Sequence, residues 1–184
     1  MVERFRTRTT RARVAPLLAI LEHLTATIRQ FDRQLARLAT TRYPVTAVLR
    51  QIPGVGPLTA LTYVLTLEDP TRFRKSRMVG AYLGLRPKRR ESGAQRPELS
   101  TTKAGDVFLR RHLVTAAQYI LGPFGPDTDL RRWGLALAAR GGRAAKKRTV
   151  VAVARKLAVL LHRLWVTGEV YEPLGYQARA ARVA

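Results

Sequence analysis

Between residues 14 and 38 the side chains Val14, Leu17, Leu21, Leu24, Ile28, Phe31, Leu35 and Leu38 recur at alternating intervals of three and four. Only a helix gathers residues so spaced onto one side. A period near 3.5 held for roughly three heptads is that of a coiled coil. Arg29, Arg33, Arg37, Glu22 and Asp32 fall between the apolar positions and form a solvated face. Pro16 stands near the start, where a missing N–H costs little. Tyr43-Pro44 closes the helix, because the residue before a proline resists helical dihedrals. Two fates are open to such a seam: packing into its own domain, or pairing with another helix or chain. Its narrowness favours pairing, and with it a homo-oligomer.

The rest of the chain also reads as helix, with no sustained alternation of apolar and polar residues that would mark a strand. An apolar helix runs over Leu58–Leu67, and a short one over Met78–Leu85. A third carries Val107, Leu109, Leu113, Val114, Ala117, Ile120 and Leu121 and stops at Gly122-Pro123. Asp129 to Arg140 is a further helix ended by Gly141-Gly142, and Lys146 to Val166 is the last long one. The expected fold is all-α, with a basic arm and coiled-coil helix over 1–44, a helical domain over 45–170 and a tail over 171–184.

Within that domain, Val48-Leu49-Arg50-Gln51-Ile52-Pro53-Gly54-Val55-Gly56-Pro57-Leu58 is patterned as a helix-hairpin-helix. Gly54 and Gly56 let the backbone turn sharply, and the amides opening the second helix can then face a phosphate. The alternative is an ordinary tight helix connection. Two basic segments follow: Arg72, Arg74, Lys75 and Arg77 around Phe73, then a polar loop from Arg86 to Pro97 with Lys88, Arg89, Arg90 and Arg96. That loop is expected to be mobile and to order on nucleic acid, since unpaired like charges repel. Beyond it, Leu99-Ser100-Thr101-Thr102-Lys103-Ala104-Gly105-Asp106 leads into a helix, where hydroxyls and Asp106 fit the role of N-caps.

The charge balance points the same way. The chain has 34 Lys and Arg against 12 Asp and Glu, a formal net charge of +22, and a compact body so charged requires a polyanion. Nucleic acid is the expected partner rather than a membrane surface or an acidic protein. The absence of cysteine excludes disulfides, thiol catalysis and cysteine-bound zinc. His23, His112 and His162 are too scattered for a metal motif and read as helix-surface or core residues. No apolar run reaches the length of a membrane span, and the Arg-rich first residues lack a signal-peptide core. The expected location is cytoplasmic.

With IPGVGPLTAL, TRFRKSRMVGAYLGLRPKRRESG, TKAGDVFLRRHLV and KKRTVVAVARKLAVLLHRLW standing in this order, roughly residues 40 to 174 resemble the carboxy-terminal domain of the insertion-sequence 110 family of transposases, with its preceding coiled coil. The resemblance implies a DNA recombinase directed by a structured guide RNA. It implies a RuvC-like domain whose acids hold divalent metal, a helical domain whose serine becomes linked to DNA, and composite active sites shared between subunits. These 184 residues contain no stretch matching the RuvC-like domain, so no metal site is expected in them and Mg2+ is expected only through that domain. Glu68-Asp69 and the pair Asp127 and Asp129 read as caps or charge partners.

The family's serine block reads Ser-Lys-x-Gly. Aligned on Lys103 and Gly105 it places Thr102 at the nucleophile, with Ser100 as a substitute if the loop shifts register. Lys103, Arg110 and Arg111 are the candidate stabilisers of phosphorane charge. No local base is evident, and the resemblance assigns activation to the RuvC-like domain. Two rival readings remain: a non-catalytic nucleic-acid-binding remnant or regulator that dimerises through the coiled coil, and a helix-hairpin-helix accessory of DNA repair that binds branched DNA.

Overall fold

The computed structural model describes residues 2–88, 100–142 and 144–175, with side chains from residue 13 onward. Among these residues seven α-helices follow one another: α1 (Val2–Arg42), α2 (Thr46–Leu49), α3 (Pro57–Leu67), α4 (Arg77–Tyr82), α5 (Val107–Leu121), α6 (Asp129–Ala139) and α7 (Ala145–Thr167). A 3-10 turn, Pro70–Arg72, lies between α3 and α4. Among the described residues the only extended pairing is one antiparallel bridge, Pro87 to Thr101. The fold is all-α, as the apolar periods require. No helix among them is long and apolar enough to cross a membrane.

The chain divides into two units, Met1–Leu38 and Ala39–Ala184. The first is α1 up to Leu38. Its seam residues Leu17, Leu21, Leu24, Ile28 and Phe31 keep 50–60% of their surface exposed, and Leu18 and Ile20 widen the apolar strip. Burial in a packed interior is what usually sustains a helix, and these side chains receive none within their own unit.

The second unit is organised around α7, which packs against α4, α5, α6 and the 3-10 turn. Val153, Leu157, Leu161 and Leu164 repeat at four, four and three residues and are fully buried. They meet Leu109, Leu113, Ala117 and Ile120 of α5 and Tyr63, Val64 and Leu67 of α3 in one continuous core. Ala154 and Ala158 bring the α7 backbone close to its neighbours, and the Tyr63 hydroxyl donates to the Ala158 carbonyl at 2.6 Å. Burial pushes the Tyr63 phenol well above its ordinary range. On the α6 side, Lys156 lies 4.2 Å from the Trp133 ring centre, and desolvation draws its ammonium below the usual lysine value.

His162 is the core histidine, 1% exposed. One ring nitrogen lies 2.9 Å from the Pro70 carbonyl and the other 3.0 Å from the Ser76 hydroxyl. Since a carbonyl only accepts, the nitrogen facing Pro70 is the donor of that hydrogen bond, and the serine hydroxyl can pair with the other nitrogen in either direction. The ring also meets Phe73 edge-on. A single side chain of α7 thus pins both ends of the basic segment 70–76. Residues 171–175, which the sequence reading places in a tail, are held too. Tyr171 is buried and donates its N–H to Gln51, while the Asp129 N–H donates to the Pro173 carbonyl.

The link from α4 to α5 depends on two backbone approaches. Gly84 adopts φ +67, and a Cβ there would stand 2.2 Å from the Ala104 oxygen. Gly105 adopts φ +73, with a Cβ meeting the Tyr82 oxygen at 2.1 Å. Lys103 N–H donates to the Gly84 carbonyl, and the Arg110 guanidinium donates to the carbonyls of Leu83 and Ala104. We expect Gly84→Ala to lower the unfolding free energy by at least about 2 kcal/mol, from the left-handed dihedral together with the clash. Chemical denaturation measures this, with Gly168→Ala as the comparison because it shares a positive φ but has open space around it.

Candidate nucleic-acid interface

The bridge at Pro87 and Thr101 orders the residues beside it. Lys88 N–H donates to the Ser100 carbonyl at 2.9 Å, and Thr102 N–H to the Arg86 carbonyl at 2.9 Å. In antiparallel pairing this sets Arg86 opposite Thr102 and Lys88 opposite Ser100, with opposed Cβ atoms about 5 Å apart. Alternate residues of an extended chain share a face, so Arg86, Lys88, Ser100 and Thr102 lie on one side and Pro87 and Thr101 on the other. All four are exposed. The sequence reading named both hydroxyls and Lys88, but the local pairing that puts them on one face was not visible to it.

The hydroxyls before α5 are not its caps. Asp106 is the N-cap, its carboxylate accepting from the Leu109 N–H, and α5 starts only at Val107. Thr102 is four residues upstream, with its backbone fixed in the bridge and its side chain outside the capping geometry. Lys103 follows in a left-handed conformation, φ 55, uncommon for a residue with a Cβ, and is exposed. Arg110, expected as a stabiliser, has its guanidinium spent on two backbone carbonyls and is partly buried; Arg111 is exposed on α5.

The second feature is the hairpin. The helix before it, α2, is a single turn, and Arg50 to Gly56 lead into α3 with Pro57 at its first position. Gly54 requires glycine: its φ is +89, and a Cβ would fall 2.9 Å from a Tyr119 ring carbon. Gly56 does not, having φ −82 and open space where a Cβ would sit. As N-cap of α3 it offers no side chain, and the amides of the first turn have no partner within the helix. Beside this turn lies a groove of about 460 Å³, floored by the hairpin and walled by α5 through His112, Thr115, Ala116 and Tyr119. Sequence reading took His112 for a helix-surface or core residue and gave no role to Thr115, Ala116, Tyr119 or Thr59, which lines the groove from α3.

The third feature is the basic segment after α3. Arg72 is committed locally, 3.8 Å from Glu68 and donating to the Leu67 carbonyl, while Arg74, Lys75 and Arg77 are exposed. Arg89 and Arg90 lie outside the described residues. The acids have local work: Asp69 accepts from the Thr71 N–H and hydroxyl, which holds its carboxyl below the usual range. Asp127 is likewise lowered, by its hydrogen bonds from Arg132. Among the described residues no three His, Asp or Glu gather into a possible metal site. His112 is partly buried on α5, His162 is buried, and His23 is an exposed residue of α1.

Residues 46–129 match the family described as the transposase IS116/IS110/IS902 family. The transposase for insertion sequence element IS1111A of Coxiella burnetii is 36% identical over 124 residues, covering 67% of this chain and 33% of that protein. The transposase for insertion sequence element IS1328 of Yersinia enterocolitica is 37% identical over 70 residues, 38% of this chain and 21% of that protein. The pilin gene-inverting protein of Moraxella lacunata is 25% identical over 141 residues, 74% of this chain and 42% of that protein. The chain thus spans about a third of the length of the curated relatives it matches.

The two hairpin glycines are expected to part company on substitution. Gly54→Ala should destabilise the domain by about 1–3 kcal/mol through its positive φ and the contact with Tyr119. Gly56→Ala should leave stability within about 0.5 kcal/mol of the parent. Thermal and denaturant melts of the two variants side by side decide this.

Proposed function

Residues 46–129 make this chain a member of the IS116/IS110/IS902 transposase family, and from that premise we propose that it is the DNA-engaging part of a transposase, with Thr102 supplying the hydroxyl for strand exchange. The observation that carries the reading is the exposed ribbon face on which Thr102 and Ser100 stand opposite Arg86 and Lys88. A phosphodiester drawn to that face by the two cations meets a hydroxyl on a fixed backbone, and holding the two groups together removes much of the entropic barrier. Attack forms a bond from Thr102 Oγ1 to phosphorus as the bond to one sugar oxygen breaks. The threonine proton passes to a base, and the departing sugar oxygen takes one up. A hydroxyl of a second strand then reverses the exchange at the same phosphorus, so the number of P–O bonds is unchanged throughout. Lys103 and Arg111 stand to offset the charge that gathers on the phosphoryl oxygens.

DNA is bound in this reading at the α3 hairpin through Gly54 and Gly56, along Arg72, Arg74, Lys75 and Arg77, and along Lys88, Arg89 and Arg90. A structured guide RNA as second partner, and Mg2+ held by a RuvC-like domain, rest on the family resemblance. The Moraxella relative's role in inverting a gene is rearrangement of the same kind. A homo-oligomer through α1 is supported by the exposed strip from Leu17 to Phe31. That strip equally favours a second reading, a regulator that pairs with a transposase through α1 and holds nucleic acid without cutting it.

The purified chain, titrated with salt against duplex DNA, branched DNA and structured RNA, should bind with an affinity that falls steeply as salt rises. Thr102→Ala should abolish any protein–DNA adduct formed when the rest of the transposase and divalent metal are supplied, while leaving binding intact. An adduct that survives Thr102→Ala but not Ser100→Ala moves the nucleophile to Ser100. Binding with no adduct from the parent chain leaves the regulator, and an adduct that survives both substitutions places the nucleophile elsewhere. Replacing Leu24 and Ile28 by Asp should reduce the sedimenting mass to that of a monomer.

A further inference from the structure

Four residues of α5 stand at intervals of four, three and four: Phe108, His112, Thr115 and Tyr119. On a helix this places them on one face, spread over about 16 Å. That face is open. Phe108 is 54% exposed and Tyr119 45%, whereas Tyr63 packs against Trp165 and Phe73 against Tyr82 and His162; Phe124, 83% exposed, lies in the turn beyond the end of α5. Phe108 and His112 meet edge to face at 4.5 Å, which steadies both rings. Tyr119 lies against the hairpin, its ring close enough to Gly54 to exclude a Cβ there. An aromatic row therefore begins at the hairpin turn and runs away from it along α5.

The groove between the row and the turn holds a second sign of a ligand. Thr59, the third residue of α3, lines it, is 8% exposed, and makes no side-chain hydrogen bond with any described residue. A buried hydroxyl without a partner is costly unless something brought to the site completes it. It stands one turn into α3, where the unpaired amides and the positive end of the helix dipole favour an anion.

We propose that the outer face of α5 is a stacking platform for an unpaired DNA strand, with one phosphate seated at the α3 turn beside Thr59 and successive bases laid on Tyr119 and on the Phe108–His112 pair. The proposal rests on the reading of the hairpin as a DNA contact and adds to it the form of DNA preferred at this site. In a duplex the faces of the bases are covered by their neighbours, so exposed rings gain little from it. An unpaired strand offers a bare face at every step, and aromatic side chains beside a cationic backbone track are the general means of holding one. The net charge of +22 selects a polyanion over an apolar protein segment as the occupant.

The test uses the full chain and oligodeoxynucleotides of one sequence, single-stranded and duplex, with 2-aminopurine as the stacking probe. Single-stranded DNA should quench the probe on binding. Phe108→Ala should weaken single-strand binding about tenfold, with duplex affinity and its salt dependence unchanged. Tyr119→Ala should weaken it similarly and Tyr119→Phe should restore it, which separates loss of a ring from loss of the fold. Unchanged single-strand affinity in Phe108→Ala and Tyr119→Ala overturns the platform while leaving the hairpin reading in place, provided duplex binding persists. Tighter binding of the matching oligoribonucleotide overturns the assignment to DNA. Failure of the parent chain to bind either form of DNA removes both readings at once.

Discussion

Between α4 and α5 the chain is held backbone against backbone. Gly84 and Gly105 lie so close to Ala104 and Tyr82 that neither position has room for a Cβ, and the Arg110 guanidinium closes the contact by donating to two carbonyls. The ribbon face of the candidate site is referred to this lock. It fixes where the chain beyond α4 places residue 86 and where residue 102 arrives before α5, so that three residues on each side can pair. It also sets the start of α5, whose cap is Asp106, one residue beyond Gly105. Glycine-only geometry of this kind tolerates no small adjustment, because a clash of backbone on backbone cannot be relieved by turning a side chain. The Thr102-Lys103-Ala104-Gly105-Asp106 block is thus one structural device: pairing, left-handed step, close approach and cap in five residues.

The charge follows a related economy. The described acids are mostly engaged near home: Asp69 and Asp106 cap, Asp127 holds Arg132, and Glu68 and Glu169 lie near arginines. Exposed pairs of this sort contribute little to stability. They do remove negative charge from competition with an incoming phosphate. Twelve acids cannot offset 34 cations, and the excess is carried by residues such as Arg74, Lys75, Arg77, Arg86 and Lys88 that are exposed. A folded chain with that excess is stabilised by whatever polyanion it binds, since binding to the native state alone shifts the folding equilibrium.

Where most helices form was legible because apolar spacing records it directly, although α1 begins at Val2 and carries Pro16 in its interior rather than near its start. Pro57 at the start of α3, Tyr43-Pro44 after α1 and Gly122 after α5 punctuate the chain as their dihedral limits require. The placement of Thr102 beside Arg86 was not legible. It depends on a pairing between segments fourteen residues apart, and no local propensity encodes which carbonyl a given amide will find. The role of Arg110 was hidden for a similar reason: an arginine tied to carbonyls and one left for a phosphate are the same letter in the sequence. Gly54 and Gly56 look equivalent in the turn motif, yet Tyr119 packs against the first alone. That distinction belongs to tertiary contact, as do the burial of Thr59 and His162.

In the proposed reading, the hydroxyl on the ribbon face requires help of a particular kind. Arg86, Lys88 and Lys103 are donors only, able to bind phosphate and to spread its charge but not to take a proton. Positive neighbours favour the alkoxide over the alcohol, so they lower the cost of ionising Thr102 without providing a place for the proton to go. Threonine adds a constraint that serine lacks. Its branched Cβ leaves few rotamers in extended backbone, so the direction of Oγ1 is set largely by the bridge. A hydroxyl whose direction is fixed by backbone pairing works only if the phosphate and the proton acceptor are brought to it. Under the proposed function this domain would be a half-site that supplies position and positive charge, and the group that activates the hydroxyl would arrive with the rest of the transposase.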